Sequence, residues 1–224
     1  MDKNLQGIEY LQQGNYEKAI QMFTETIEEN PGDPVGYVNF ANVLISVGDP
    51  LRAEEFLKRA LEMDDKASAA YYSYGNLYFN QEKYEEAAGM FEKALLNGSE
   101  SNDLLYMLGM SMVNLGQNEL SLPYLQRSVE LDDNDTEAAF QFGLALARNG
   151  VYDEAIKQLE KVVEAVPEHT DAYYNLGVAY AAHFEDAEKA LATFNKALAI
   201  QPDHVLAGNG KKLMETALAE GKES

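Results

Sequence analysis

The side chains that could make or break bonds are few and scattered in this sequence. It has no cysteine and three histidines, His169, His183 and His204, which stand far apart without an HExxH-type pairing. Neither a thiolate nucleophile nor a Cys/His metal site can be assembled from them, and surface positions account for the three rings. Asp132, Asp133, Asn134 and Asp135 begin like a calcium loop but lack its glycine at position six and its glutamate at position twelve, so the stretch reads as a linker. No glycine-rich phosphate loop or GxSxG elbow is present. What does recur is recognition chemistry. Val38, Tyr72, Tyr106, Phe140 and Tyr174 follow one another every 34 residues. Beside them runs an amide-rich row, Asn39, Asn42, Ser73, Asn76, Asn80, Asn114, Gln141 and Asn175. An amide offers both donor and acceptor, so it can pair with a peptide backbone without reading its sequence. Aromatic rings add apolar area and lose little rotamer entropy.

Helices must hold these rows in register. Residues 68–101 carry two amphipathic patterns divided by the polar turn NQEK, which makes a helical hairpin. A shift of 34 residues lays Gly75 on Ala41, Gly109, Gly143 and Gly177, and Ala94 on Ala60, Ser128 and Val162. Self-similarity at this period marks an array in which stacked units share one core. The spacing predicts first helices near 2–13, 34–47, 68–80, 102–115, 136–149 and 170–182. A second helix carries Tyr16, Ala19, Ile20, Phe23 and Ile27 and stops at Asn30-Pro31-Gly32, and its counterparts follow near 50–63, 84–97, 118–131, 152–165 and 186–199. Ser68, Thr136 and Thr170 are the expected N-caps, and Gly14, Gly48, Gly116 and Gly150 the turns. From His204 onward, Val205, Leu206, Leu213, Met214, Ala217 and Leu218 form one apolar stripe in a final helix weakened by Gly208 and Gly210. Residues 219–224 are expected to fray.

Gly75, Gly109, Gly143 and Gly177, with Ala87, Ala94, Ala155, Ala190 and Ala197, mark places where one helix must come close to the next. Tyr10, Tyr78 and Tyr180 fill the gaps between. In these residues the chain resembles the tetratricopeptide repeat family. The fullest matches to its pattern are Tyr71, Gly75, Tyr78, Ala87, Phe91 and Ala94, then Tyr173, Leu176, Gly177, Tyr180, Ala190, Phe194, Ala197 and Pro202. Gln6 departs from the usual leucine, Ser121 and Ser128 replace two alanines, and the turn AAHFED is one residue longer than its counterparts, so a local bulge is expected there.

The resemblance implies an all-α solenoid, a right-handed superhelix of hairpins at about 1–33, 34–67, 68–101, 102–135, 136–169 and 170–203. These would form one domain over 1–224 with a capping helix at about 204–219. It also implies a concave wall built of first helices. The groove positions on that wall are the step after Tyr71 and its equivalents, and the residues four and eight further on. A peptide-binding groove would then be lined by Asn39, Asn42, Tyr72, Asn76, Asn80, Tyr106, Met110, Asn114, Phe140, Gln141, Leu144, Arg148, Tyr174, Asn175 and Val178. With Met107, the wall turns apolar toward the C-terminal half and suits a hydrophobic segment. The same aromatic spacing would serve packing between repeats equally well. The amides could be a solvated face, although asparagine is a poor choice for a helix interior. Family members that clamp acidic tails use groove lysines and arginines, whereas Arg148 alone holds such a place in the central repeats, so no carboxylate clamp is expected.

The formal net charge of −21 disfavours nucleic acid and anionic membrane surfaces, and leaves a basic or neutral protein as the partner. Acidic pairs such as Glu54-Glu55, Glu85-Glu86 and Asp153-Glu154 lie early in second helices, where they complement the helix dipole. The N-terminal stretch lacks the apolar core of a secretory signal, and no run of apolar residues is long enough to span a bilayer, so a cytoplasmic monomer is expected. The functional expectation is a non-catalytic protein-interaction module or scaffold, without cofactor or metal, holding an extended peptide or a partner's helix. Self-association through the C-terminal repeats or helix stays open, as does a non-catalytic regulatory subunit of an enzyme complex.

Overall fold

The computed structural model describes residues 2–183 and 186–220, and within them the chain is all helix. The first helices are α1 (Lys3–Gln12), α3 (Pro34–Ser46), α5 (Ser68–Asn80), α7 (Asn102–Asn114), α9 (Thr136–Arg148) and α11 (Thr170–His183). The second helices are α2 (Tyr16–Glu29), α4 (Pro50–Met63), α6 (Tyr84–Leu96), α8 (Asn118–Leu131), α10 (Tyr152–Ala165) and α12 (Ala187–Ile200). A last helix, α13 (Val205–Glu220), follows. The chain divides into two compact units, Met1–Gly116 and Gln117–Ser224.

Each second helix buries a narrow stripe of small and large residues at a fixed register. Ala19 and Phe23 on α2, Ala53, Leu57 and Ala60 on α4, and Ala87, Phe91 and Ala94 on α6 are all fully enclosed. Ala155, Leu159 and Val162 on α10 and Ala190, Phe194 and Ala197 on α12 repeat the figure. Burying a phenylalanine side chain in this way contributes roughly 1.5–3 kcal/mol. The alanines let the backbones approach, and the large residue fills the gap between helices. Opposite each phenylalanine the first helix has no side chain at all. A Cβ on Gly7 would lie 2.5 Å from Phe23, one on Gly75 2.4 Å from Phe91, and one on Gly177 2.5 Å from Phe194. Where leucine replaces phenylalanine the fit is looser, since a Cβ on Gly143 would stand 3.1 Å from Leu159. α1 is the least enclosed first helix, with Gly7 its one buried residue.

The turns inside the hairpins follow one scheme. Gly14, Gly48, Gly116 and Gly150 adopt positive φ, and Glu82, at φ 59°, holds the same place in the α5–α6 turn. The N–H after the left-handed residue donates back to the carbonyl five residues earlier: Asn15 to Tyr10, Asp49 to Leu44, Lys83 to Tyr78 and Val151 to Leu146. This wide bond closes a Schellman motif, which glycine enters without steric cost. In the last hairpin the corresponding bond runs from the Asp186 N–H to the Tyr180 carbonyl, 3.1 Å away and one residue further back. The expected bulge in AAHFED falls on residues 184 and 185, outside the described residues.

Two expectations need correcting. The N-caps lie one residue before Ser68, Thr136 and Thr170, because those three already have helical backbone. The Asp135 side chain accepts from the Ala138 N–H and the Ser101 side chain from the Leu104 N–H, while the Ala67 methyl group can accept no hydrogen bond. At the last two repeat junctions the cap is an imidazole. Nδ1 of His169 accepts from the Ala172 N–H at 3.2 Å and Nδ1 of His204 from the Ala207 N–H at 3.1 Å. These are placed rings, and His204 has a side-chain exposure of 10%. Secondly, α13 buries part of its expected apolar stripe and leaves the rest in solvent. It runs unbroken through Gly208 and Gly210 to Glu220 and buries Ala207 and Met214, while Val205, Leu206 and Leu213 stay exposed. Gly210 is what lets α13 settle, since a Cβ there would meet the Phe194 ring at 2.6 Å.

Candidate binding faces on the first helices

In the first unit the rows fall on α3, α5 and α7. Asn39 is half-buried, and its Nδ2 donates to Oδ1 of Asn4 at 2.7 Å, tying α3 to α1. That amide therefore serves packing between repeats. Asn42 is half-buried on the same helix. On α5 the Tyr72 ring lies 5.8 Å from Phe91, and its hydroxyl is hydrogen-bonded to the Asn76 side chain. Burial, assisted by the Asp103 carboxylate on α7, pushes the Tyr72 phenol up against the opposing pull of that bond. The geometry thus brings Tyr72, Asn76 and Asp103 together, and Asn80 follows one turn on, exposed. Tyr106 and Met110 are half-buried on α7, while Asn114 is exposed and donates to the Met110 carbonyl at 2.8 Å.

In the second unit the rows continue on α9 and α11. Phe140 departs from expectation: it is buried, with its ring 4.5 Å from that of His169, so it is part of the repeat junction and presents no surface. Periodicity could not reveal this, because groove and junction positions share the same 34-residue spacing. Gln141 donates to Glu137 at 2.9 Å, Leu144 is half-buried and Arg148 is exposed. On α11, the half-buried Tyr174 ring lies 6.1 Å from Phe194 and 5.3 Å from His204. Asn175 donates to the Asp171 carbonyl at 2.8 Å, and Val178 is exposed.

These amides bond mainly within their own helix. An asparagine that spends one N–H on the carbonyl four residues back retains a second N–H and its carbonyl oxygen. The row can therefore be ordered and still offer hydrogen bonds outward. The tyrosines on the hairpin side behave differently. Lys18 lies over Tyr10 at 5.1 Å, Lys83 over Tyr78 at 5.6 Å and Lys189 over Tyr180 at 5.4 Å. Tyr180 also donates to Glu160 at 2.8 Å, and burial followed by that bond pushes its phenol up to about 12. These pairs hold the lysines against the scaffold. Sequence reasoning missed the imidazole caps. The caps had a signal, since positions 33, 101 and 135 are aspartate, serine and aspartate and His169 continues that register. Among the described residues no cluster of three or more histidine, cysteine, aspartate or glutamate side chains could hold a metal ion, and no helix is long and apolar enough to cross a membrane.

Hairpins in a fixed glycine–phenylalanine register, repeated along the chain, define an all-α helical-repeat protein. Family models for the tetratricopeptide repeat match residues 10–75, 44–108, 103–135 and 140–205. The crystal structure of YrrB, described as a TPR protein with an unusual peptide-binding site, is 55% identical with a TM-score of 0.81, over 85% of this chain and 97% of that one. The chain belongs to the tetratricopeptide repeat family. In sequence, the TPR repeat-containing protein YrrB of Bacillus subtilis (strain 168) is 54% identical over 39 residues, which is 17% of this chain and 19% of YrrB. The type IV pilus assembly protein PilF of Pseudomonas aeruginosa is 30% identical over 100 residues, 45% of this chain and 37% of PilF. A solved PilF structure shares the fold, with a TM-score of 0.78 at 22% identity over 92% of this chain and 94% of that one. Small glutamine-rich tetratricopeptide repeat-containing protein 2 of Mycosarcoma maydis is 31% identical over 91 residues, 41% of this chain and 26% of that protein. The chain thus spans well under half of the length of these curated relatives.

Proposed function

We propose that the chain is a protein-interaction module that holds an extended peptide or a partner's helix against its first helices and performs no catalysis itself. The observation that carries this reading is the surface of α5, where Asn76 and Asn80 follow Tyr72 at successive turns, while Gly75 and one side of the Tyr72 ring pack on Phe91. Asparagine lowers helix stability by roughly half a kcal/mol relative to alanine, and the hairpin core does not require it. A backbone ligand does give it a use. The peptide-binding site of YrrB, more than half identical to this chain across the aligned region, supports the same reading. With a formal charge of −21, the favoured partner is basic or neutral, and nucleic acid is disfavoured.

Affinity capture from a host lysate tests this. Wild type is compared with a Tyr72→Ala, Asn76→Ala, Tyr106→Ala variant whose helicity is checked by circular dichroism. A partner held by wild type and lost by the folded variant supports the reading. Identical partners on both would move the site off these helices.

A further inference from the structure

Between α11 and α13 lies an open pocket of about 440 Å³, lined by Tyr174, Val178, Phe194, Leu206, Leu213 and Met214 among others. That volume falls in the range of roughly 300–1,000 Å³ typical of ligand sites. None of its lining residues carries a charge. Three of its aliphatic walls face water in the free protein, since Val178 is 39% exposed, Leu206 56% and Leu213 65%. Packing of α13 does not require this exposure. The helix is seated by Ala207 and Met214, and by Gly210 lying against Phe194. Polar side chains at 206 and 213 would leave that seat intact. A large exposed aliphatic pair rimming a concave apolar wall is the usual mark of an interaction site.

Charge selects the occupant. One turn before Tyr174 on α11 stands Asp171, 66% exposed, with Oδ1 3.4 Å from Nε2 of His204. The His204 ring lies in turn 5.3 Å from Tyr174, so the carboxylate stands outside the lining and is linked through that imidazole to its Tyr174 side. A second copy of the chain would bring a further charge of −21 to this surface, and an anionic lipid would be repelled likewise. Asn209, also in the lining, puts an amide at the mouth that can bond a ligand backbone.

We propose that the α11–α13 pocket anchors a cationic apolar segment of a partner protein, with large apolar side chains against Leu206, Leu213 and Val178 and a lysine or arginine against Asp171. The site shares Tyr174 and Val178 with the first-helix face and so rests on the function proposed above, while α13 supplies the part that is new.

The test is fluorescence anisotropy with a synthetic amphipathic peptide of leucine, alanine and lysine, and with its glutamate-for-lysine counterpart. The variants are Leu206→Ser with Leu213→Ser, both at exposed positions that leave the fold in place, and Asp171→Asn. The expected result is binding of the lysine peptide by wild type and a loss of about tenfold or more in the double variant, the size of a hot-spot truncation. Asp171→Asn should give a smaller loss together with a weaker salt dependence, and the glutamate peptide should not bind. Equal binding by wild type and the double variant, or equal binding of both peptides, overturns the proposal. So does self-association of wild type that Leu213→Ser abolishes, because the occupant would then be a second copy. If lysate partners are lost with Asn76→Ala but kept by the double variant, this site fails and the first-helix reading survives. Loss in both supports the proposal, the partner then needing this pocket as well as the α5 row.

Discussion

The α5–α6 hairpin in the first unit and the α11–α12 hairpin in the second stand three repeats apart, and their interiors are near copies. Gly75 faces Phe91 and Gly177 faces Phe194, with a missing Cβ that would clash at 2.4 and 2.5 Å. Lys93 lies over Tyr71 at 5.7 Å and Lys196 over Tyr173 at 5.4 Å. Tyr72 and Tyr174 rest on those phenylalanines at 5.8 and 6.1 Å. The outward rows differ. Asn76 and Asn80 on α5 correspond to Val178 and Ala182 on α11. The scaffold has been held constant while the row that does not serve packing has changed from amide to apolar. A surface that varies on a fixed interior is free to follow its ligand, which argues that recognition resides in that row.

The comparison breaks most readily inside the hairpins. Gly75→Ala and Gly177→Ala force a methyl group into an enclosed phenylalanine ring, and each should lower unfolding free energy by about 1–3 kcal/mol despite alanine's better helix propensity. Gly143→Ala, facing the more yielding Leu159, should lie within about 1 kcal/mol of wild type. Urea titration of the three variants would decide, and an equal cost at 143 would contradict the size rule. The turns offer a second difference. Glu82 holds a left-handed conformation that glycine holds in four other hairpins. Glu82→Gly should therefore stabilise the protein by about 1 kcal/mol, whereas a loss on thermal melting would mean the glutamate side chain is needed.

Alkaline titration sharpens the contrast between the two hairpins. Tyr78 and Tyr180 hold equivalent places, and burial raises both phenols above the ordinary 10.0. Tyr180, donating to Glu160 in addition, is pushed up to about 12. A folded pKa above the unfolded one means that stability is fully present below about pH 10 and is lost as pH rises, for Tyr180 through about pH 12. Tyrosinate absorbance should show Tyr180→Phe removing a late-titrating phenol. Burial raises Tyr74 on α5 to about 12 as well, so Tyr180→Phe should lower the amplitude of the late titration without abolishing it, and an unchanged amplitude would mean that Tyr180 titrates with the ordinary tyrosines. The smallest effect on stability should come from exchanging the rows themselves. Asn76→Val with Asn80→Ala, which gives α5 the α11 row, should change unfolding free energy by no more than about 0.5 kcal/mol per site. A larger loss would show that the asparagines serve the fold.

The fold was largely legible because two signals coincide in it. Glycines punctuate the turns, and Ala–Phe–Ala stripes return at one register, so most helix ends observed lie within a residue of those expected. Caps slipped by one position because serine and threonine at the first helical residue look like caps, while an imbedded imidazole acceptor such as His169 does not. The candidate faces were only partly legible. A residue such as Phe140 recurs at the spacing of the tyrosines, and that spacing does not show that the ring of the capping residue His169 covers it. Asn39 was similarly ambiguous until its bond to Asn4 joined two repeats. On α13, the expected stripe put Leu206 and Leu213 inside. The helix encloses Met214 of that stripe together with Ala207, and Gly210 lies against Phe194.

The central claim is that the first helices carry recognition. Hydrogen exchange measured with and without a captured partner tests it most directly, once each protected peptide is assigned to a helix. Slower exchange in α3, α5, α7, α9 and α11, with the second helices unchanged, is the predicted result. Protection confined to α4, α6, α10 and α12 would contradict it and place the partner on the opposite side of the hairpins.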